Sequence, residues 1–137
     1  MLRISLVCLA LVFNSARSFA QDAGQQAPIQ DAIRAQIMAF QADDFAKAFT
    51  FASPTIHQMF GTSDNFGAMV KQGYPMVWHP AAVDMLELRT VGGALWQRVR
   101  VTDSKGQSYL LDYQMMQGPD GWLINAVQMQ KSPDVGA

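Results

Sequence analysis

The sequence predicts an α+β fold in which three N-terminal helices pack on a curved antiparallel meander of four strands. Apolar residues recur every three or four positions between residues 29 and 72, as they do on the buried face of a helix. From residue 82 onward, four strand-like runs follow, and glycine-containing segments separate them. Because the helices precede the meander along the chain, we expect them to cover one face of the sheet. A strongly bent sheet around such helices would form a cone with a hollow end.

The first two helices are predicted from their spacing and their caps. The apolar spacing predicts a helix from about Ile29 to Ala42. Pro28 is expected in its first turn, where the missing N–H would have no partner anyway. Asp43 or Asp44 is then expected to cap a second helix by accepting its free N–H groups, and Ser53-Pro54 is expected to end it.

The third helix follows a segment with no clear assignment. The segment Thr55–Phe60 fits a helical turn and a short strand equally well, and Gly61 ends it. Thr62 or Ser63 is expected to cap a helix over Ser63–Gln72. Gly73 is predicted to end this helix in the left-handed conformation that glycine adopts readily.

The second half of the chain has the pattern of an antiparallel meander. Glycine in each connecting segment permits the positive φ that tight hairpins require. Both faces of the last two runs carry apolar residues, so one face should pack on the helices while the other is covered or lines a cavity. The four predicted strands are Val83–Thr90, Ala94–Thr102, Ser108–Gln117 and Trp122–Gln130.

The N-terminus resembles a secretory signal peptide. Arg3 precedes a short apolar run, Ile4–Phe13, and small residues at positions 18 and 20 suit cleavage after Ala20. The run is shorter than the roughly 20 residues that span a bilayer, which argues against a membrane anchor. We therefore expect a periplasmic or secreted protein that begins at Gln21. It would have a flexible leader over residues 21–28, a single domain over 29–131 and a flexible tail over 132–137.

The composition of the expected mature chain excludes several classes of function. Cys8, the only cysteine, lies in the predicted signal peptide, so thiol catalysis, cysteine metal ligands and disulfides are all excluded. Removal of Arg3 and Arg17 leaves 8 basic and 11 acidic residues, a net charge of −3. No basic block remains that could contact a phosphate backbone. We expect no nucleic-acid partner, and no membrane contact after cleavage.

An aromatic segment after the third helix is the first candidate for a binding site. Tyr74, Met76 and Trp78 lie close together where the helices give way to the sheet. With Phe66 from the preceding helix, they are candidates for the wall of an apolar ligand pocket. The alternative is that the same side chains simply close the open end of the sheet.

Asp112 is a candidate for catalysis because it interrupts an apolar strand. It lies between Leu111 and Tyr113, where Asp is disfavoured and where burial would raise the pKa of its carboxyl group. With Tyr74 as a hydrogen-bond donor, it would serve as a general base. The alternative is that Asp112 faces solvent, or forms an ion pair across the sheet with Arg98 or Arg100.

The histidines give a weaker indication of chemistry. His57 and His79 are the only two, and neither belongs to an H-x-x-x-H or H-E-x-x-H motif. We therefore expect no metal site and no cofactor. Asp84 lies five residues after His79 and could join it in an acid–base pair, although a structural or surface role for His79 is the alternative. The methionines are distributed over every element, which favours core packing over copper binding.

Four segments in order resemble the DUF4864 family of small exported bacterial proteins. They are FASPTIHQMFGTSDNFGAMVKQGYPMVWHP, GGALWQRV, LLDYQM and GWLINAVQ, and the resemblance extends from about residue 32 to residue 130. The family is itself uncharacterised, so the resemblance implies no activity. The order of helices and strands is also similar to the NTF2-like, cystatin-like cone, whose members include isomerases, hydrolases, polyketide cyclases and non-catalytic binding modules.

Three functional hypotheses follow from the sequence. The first is a non-catalytic exported domain that binds a small apolar or amphipathic ligand, or a protein partner, at the mouth of the cone. The second is an isomerase or hydrolase that uses Asp112 or Asp84 with His79 or Tyr74. The third is an interaction module that forms a homodimer through an exposed face of the sheet. We favour the first, which predicts an apolar cavity next to Tyr74 and Trp78.

Overall fold

The computed structural model describes the backbone of residues 17–130 and the side chains of residues 24–130. Most of the predicted signal peptide and all of the predicted tail lie outside the described residues. No helix in this part of the chain is both long and apolar enough to cross a membrane. The α+β prediction is confirmed. The elements are α1 (Arg17–Gln41), α2 (Phe45–Thr50), α3 (Pro54–Phe60), α4 (Ser63–Gly73), α5 (Pro75–Trp78), β1 (Ala82–Val91), β2 (Ala94–Thr102), β3 (Ser108–Gly118) and β4 (Gly121–Gln130).

Helix α1 begins earlier than the sequence predicted. It starts at Arg17 rather than at Ile29, so the residues expected to form a flexible leader continue the helix. Glutamine and alanine, which are frequent there, have good helix propensity without forming an apolar stripe. Pro28 lies inside the helix rather than in its first turn, and removes one backbone hydrogen bond. The predicted buried stripe is confirmed for Ile29, Ile33, Ile37 and Phe40.

Polar side chains begin α2 and α4 as predicted. The Asp44 carboxylate accepts a hydrogen bond from the Lys47 N–H at 3.1 Å. The Thr62 hydroxyl accepts one from the Asn65 N–H at 3.2 Å. Each bond pairs one of the N–H groups that the first turn of a helix leaves free.

Two short helices were not predicted, and each begins at a proline. Ser53-Pro54 starts α3 instead of merely ending α2, because the Ser53 hydroxyl accepts from the Ile56 N–H at 3.4 Å and Pro54 occupies the first helical position. The ambiguous segment Thr55–Phe60 is therefore helical. Pro75 likewise occupies the first turn of α5, but no side chain caps this helix, which lies within the aromatic segment between the predicted helices and the sheet.

The left-handed conformation predicted for Gly73 was wrong. Gly73 is the last residue of α4, and the glycines with positive φ are found elsewhere in the described chain. The chain leaves the helix at Tyr74, with φ −136° and ψ 49°. The ring of Pro75 explains this position, since a proline disfavours the helical conformation in the residue before it.

The sheet is an antiparallel meander in the order β1-β2-β3-β4, as predicted. Gly92 and Gly93 connect β1 to β2 with φ values of 57° and 80°, which residues other than glycine rarely adopt. A register shift interrupts β1 between Met85 and Leu88, and another interrupts the β3–β4 pairing after Gln114. Such bulges increase the local twist of a sheet.

The two faces of the sheet differ in chemistry. One face packs on the helices and contributes core residues that include Val99, Leu111, Tyr113 and Met115. Side chains alternate along a strand, so the neighbours of these residues point the other way. That outer face carries charged residues, among them Asp84, Arg98, Arg100 and Asp112.

A short segment between α2 and α3 pairs with the edge of β4. The Ile124 N–H donates to the Phe51 carbonyl oxygen at 2.8 Å, and the Ser53 N–H donates to the Ile124 carbonyl oxygen at 2.8 Å. This pairing satisfies part of the sheet edge. It also fixes the start of α3 against β4, and thereby places α3 beside an apolar cavity.

Candidate functional site

An apolar cavity of about 280 Å³ lies between the helices and the β4 side of the sheet. Helix α3 supplies one wall through Ile56, Met59 and Phe60. Spacings of three and four residues place three side chains of α4 on one face of the helix, where they form the adjoining part of the wall. These are Phe66, Met69 and Val70. The cavity lies where α3, which packs against β4, meets α4, which packs against α2 and α5.

The sheet provides the floor of the cavity. Tyr113 on β3 and Val127 on β4 are cross-strand partners, and both line it. Ile124 lines it as well, at the position where the link between α2 and α3 pairs with β4. The floor therefore depends on contacts between elements that are far apart in sequence.

Four polar side chains line the cavity, and three of them are bonded elsewhere. The Tyr74 hydroxyl donates to the Val127 carbonyl oxygen at 3.2 Å, and the Gln36 amide donates to the Ala48 carbonyl oxygen at 3.2 Å. Asn125 donates to the Gln114 side chain at 2.9 Å. The fourth is Tyr113.

The Tyr113 side chain is only 1% exposed. Its hydroxyl takes part in none of the hydrogen bonds that the side chains of residues 24–130 make. Burial, with a smaller contribution from the nearby Tyr74 side chain, raises the pKa of Tyr113 far above its ordinary value. The hydroxyl therefore stays protonated and retains its proton for donation.

Only two of the four ligand-binding candidates from the sequence line the cavity. Tyr74 and Phe66 line the cavity, whereas Met76 and Trp78 do not. Met76 is buried in the core. The Trp78 ring nitrogen donates to the Asp43 carboxylate at 2.8 Å, so this side chain ties α5 to the end of α1.

Lys71 lies over the aromatic rings around Trp78, outside the cavity. Its ammonium nitrogen lies 5.0 Å from the centre of the Trp78 ring and 4.9 Å from that of Phe45. Both distances allow cation–π attraction. The lysine of α4 thus covers the rings of α2 and α5, and the three short elements are held together outside the cavity.

Asp112 lies on the outer face of the sheet, away from Tyr74. Its carboxylate accepts from Arg98 Nε at 3.1 Å and from Arg89 Nη2 at 3.0 Å. The hydrogen bond to Asp112, with the attraction of that carboxylate and of Glu87, raises the pKa of Arg98 despite its partial burial. The observed arrangement is the cross-strand ion pair, and Asp112 and Tyr74 are not brought together.

The remaining catalytic candidates also lie apart. Asp84 pairs with Arg100 at 3.2 Å on the exposed part of the outer face. His79 is exposed, and its ring lies 4.3 Å from that of Trp78. Within residues 24–130, no group of three or more acidic, histidine or cysteine side chains is placed to hold a metal ion.

His57 borders a second, wider groove between α3 and the β3–β4 hairpin. This groove has a volume of about 840 Å³ and is more open to solvent than the apolar cavity. The His57 ring stacks on Phe49 at 3.7 Å, and its Nε2 lies 2.7 Å from the Phe49 carbonyl oxygen. Because these contacts occupy the imidazole, we take the smaller, more enclosed cavity as the candidate site.

Several residues of the cavity were not found from the sequence. Tyr113 follows Asp112 on β3 and therefore points to the opposite face, but its free hydroxyl depends on neighbours that only the fold defines. Met59 and Phe60 lie in the segment whose secondary structure was ambiguous. Gln36 did carry a signal, because it is a polar residue within the buried stripe that contains Ile33 and Phe40.

Comparison with known proteins gives one result that covers nearly all of the described chain. The family model described as "Domain of unknown function (DUF4864)" matches residues 22–137. No curated protein and no solved structure matches the sequence or the fold. The similarity to the NTF2-like cone therefore stays a prediction.

Proposed function

Because the chain belongs to the DUF4864 family, whose description assigns no activity, we propose a function from the cavity: the domain binds one small, mainly apolar molecule and catalyses no reaction. The observation that carries this proposal is the partly open apolar cavity beside Tyr74 and Tyr113. Ligand sites in proteins typically combine apolar walls with a few polar groups that fix orientation. The cavity has this composition.

The volume of the cavity limits the size of the ligand. An engineered apolar cavity of about 150 Å³ is large enough for benzene. The space in this domain, about 280 Å³, is nearly twice as large. It is near the lower end of the range of about 300–1,000 Å³ that is usual for ligand pockets. A molecule the size of a substituted bicyclic ring, or a short branched chain, suits it best.

The chemistry of the wall favours binding over catalysis. A general acid or base works best when its pKa lies near the working pH. The ionisable side chains in the wall are those of Tyr74 and Tyr113, and burial moves the pKa of Tyr113 further from neutrality. The isomerase or hydrolase hypothesis has less support, since Asp112, Asp84 and His79 all lie outside the cavity.

We also propose that the domain works outside the cytoplasm. The support for this is the sequence of residues 1–20, which has the charge, length and small residues of a cleaved signal peptide. A binding domain in that compartment would capture or carry its ligand there. A protein partner, or a second copy of the chain, is the alternative occupant of the cavity mouth, where the Met59 side chain is 70% exposed.

Filling the cavity tests the binding function. N-phenyl-1-naphthylamine, a neutral probe that fluoresces in apolar surroundings, should bind the mature protein saturably with one site. Val127→Phe places a ring on the floor of the cavity and should weaken this binding at least about tenfold, since overpacking excludes the probe. Circular dichroism should confirm that the variant is folded.

Val91→Phe is the matched control for this experiment. Val91 is an exposed residue at the end of β1, so the same substitution there should leave probe affinity unchanged. The proposal fails if the wild-type protein shows no saturable binding. It also fails if a folded Val127→Phe variant binds the probe as well as the wild type does.

A further inference from the structure

We propose that the ligand is an uncharged molecule that presents a hydrogen-bond acceptor, such as a ketone or amide carbonyl, to the Tyr113 hydroxyl. This inference rests on the proposed binding function and specifies the chemical class of the ligand. Three features support it: the free hydroxyl of Tyr113, the different bonding of the neighbouring polar groups, and the lack of charge among the residues that line the cavity.

The Tyr113 hydroxyl is a donor without an acceptor. The side chain is only 1% exposed, and its hydroxyl belongs to none of the side-chain hydrogen bonds of residues 24–130. The fully buried side-chain atoms without a partner in this part of the chain are Arg89 Nε and Gln97 Oε1, so the Tyr113 oxygen retains accessible surface where the residue lines the cavity. Because this oxygen reaches the cavity and bonds to no protein group, its proton can be donated to a molecule held there. A ligand acceptor in the cavity would supply the missing partner.

Tyr74 does not compete for this role. Its own proton is directed to the Val127 carbonyl oxygen, which anchors α5 to β4. Burial, together with the proximity of Tyr74, raises the pKa of Tyr113, so the phenol remains a donor throughout the physiological range of pH. The cavity therefore offers one uncommitted phenol proton, at Tyr113.

The residues that line the cavity do not suit an ion. Arginine, lysine, histidine, aspartate and glutamate are all absent from the described lining. Arg89 and Arg98 lie on the outer face, where they pair with Asp112, and Lys71 lies over the rings of Phe45 and Trp78. A carboxylate brought into the cavity would lose its hydration without gaining a cationic partner, which is strongly unfavourable. A ligand cation would likewise find no carboxylate.

Three probes on one ring system test this inference. They are 2-acetylnaphthalene, which carries a ketone, 2-isopropylnaphthalene, which has the same shape without the oxygen, and 2-naphthoate, an anion. Dissociation constants for the mature protein would be measured by NMR titration. We expect the ketone to bind about tenfold more tightly than the hydrocarbon, the effect of one neutral hydrogen bond. The anion should show no saturable binding.

The Tyr113→Phe variant identifies the donor. It removes only the hydroxyl, so the ketone and the hydrocarbon should then bind with equal affinity, and the affinity for the hydrocarbon should stay within about twofold of wild type. Tyr109→Phe is the matched control on the same strand. The Tyr109 hydroxyl bonds to Asp103 at the β2–β3 turn, outside the cavity, so this variant should keep the preference for the ketone.

The outcomes separate the two proposals. If none of the three probes binds, the binding function itself is wrong. If the hydrocarbon binds but the ketone binds no more tightly, the binding function is supported and the role of Tyr113 is wrong. The same conclusion follows if Tyr113→Phe keeps the preference for the ketone. Binding of the naphthoate as tightly as the ketone would overturn the inference that the ligand is uncharged.

Discussion

Three buried polar residues of the sheet show why a residue's role depends on its partners. Gln97 donates from its amide to the Leu86 carbonyl at 3.0 Å, a group that the β1 bulge leaves without its regular strand partner. Asp112 is held by two arginines on the outer face. Tyr113 lies between the helices and the sheet without a bonded partner. The sequence identified Asp112 as a polar residue in an apolar run, but the partners of Asp112 and Gln97 lie on other strands and follow from the register of pairing.

The ion pair of Asp112 should stabilise the fold without affecting binding. The side chain is 5% exposed, so Asp112→Asn would leave the charges of Arg89 and Arg98 poorly compensated and lower the free energy of unfolding by about 2 kcal/mol. Probe binding in the cavity should not change, because Asp112 is on the other face. Urea unfolding measures the first effect, and fluorescence titration the second.

Asp84→Asn is the control for this comparison. Asp84 also pairs with an arginine across β1 and β2, but its side chain is 50% exposed. Exposed pairs contribute less than about 1 kcal/mol, so this change should be small. If the two substitutions lowered the free energy of unfolding equally, the greater contribution assigned to the buried ion pair would be wrong. If Asp112→Asn lost probe binding, Asp112 would have a role in the binding site.

At the level of elements, the strands were predicted more accurately than the helices. All four strands end within one residue of their predicted bounds, because period-two runs and glycine turns mark both ends. Helices α3 and α5 have seven and four residues, too few to establish a helical period. Such short helices are stable only through tertiary contacts, and those contacts cannot be predicted from the local sequence.

Two glycines in α4 should respond to alanine in opposite directions. A Cβ on Gly67 would lie 2.8 Å from the Phe45 ring, so Gly67→Ala should force α2 and α4 apart and lower the free energy of unfolding by about 1–2 kcal/mol. Gly73 has open space and a φ that alanine accepts. Gly73→Ala should therefore raise stability by about 0.5 kcal/mol. Thermal unfolding of both variants measures this, and a stabilising Gly67→Ala would show that Phe45 moves aside freely.

At the level of the whole molecule, the site depends on long-range packing. The sequence located Tyr74 and Phe66, because both belong to the apolar pattern around α4. It missed the wall from α3, which reaches the cavity only because Phe51 and Ser53 pair with Ile124, more than 70 residues away in the chain. These long-range contacts cannot be predicted from the composition of a single segment. The expected neighbour Trp78 was assigned to the cavity because it is close to Tyr74 in sequence, yet α5 turns it toward Asp43.

Export is a property of the whole chain, and processing of the precursor tests it. The predicted cleavage bond between Ala20 and Gln21 lies within α1, and cleavage there would leave a helix that still contains Ile29 and the rest of the buried stripe. We therefore expect the mature chain to be folded. After expression of the full precursor in a Gram-negative host, intact-mass spectrometry of the periplasmic fraction should detect a chain that begins at Gln21.

A pair of variants makes the prediction of export specific to one bond. Ala20→Leu places a large side chain where cleavage needs a small one, so the unprocessed precursor should accumulate. Ala16→Leu makes the same change outside the cleavage site and should be processed normally. Recovery of the full precursor from the cytoplasm in the wild type, or normal processing of Ala20→Leu at the same bond, would contradict the assignment. In the first case the cavity would encounter cytoplasmic ligands, and the binding proposal would then apply to that compartment.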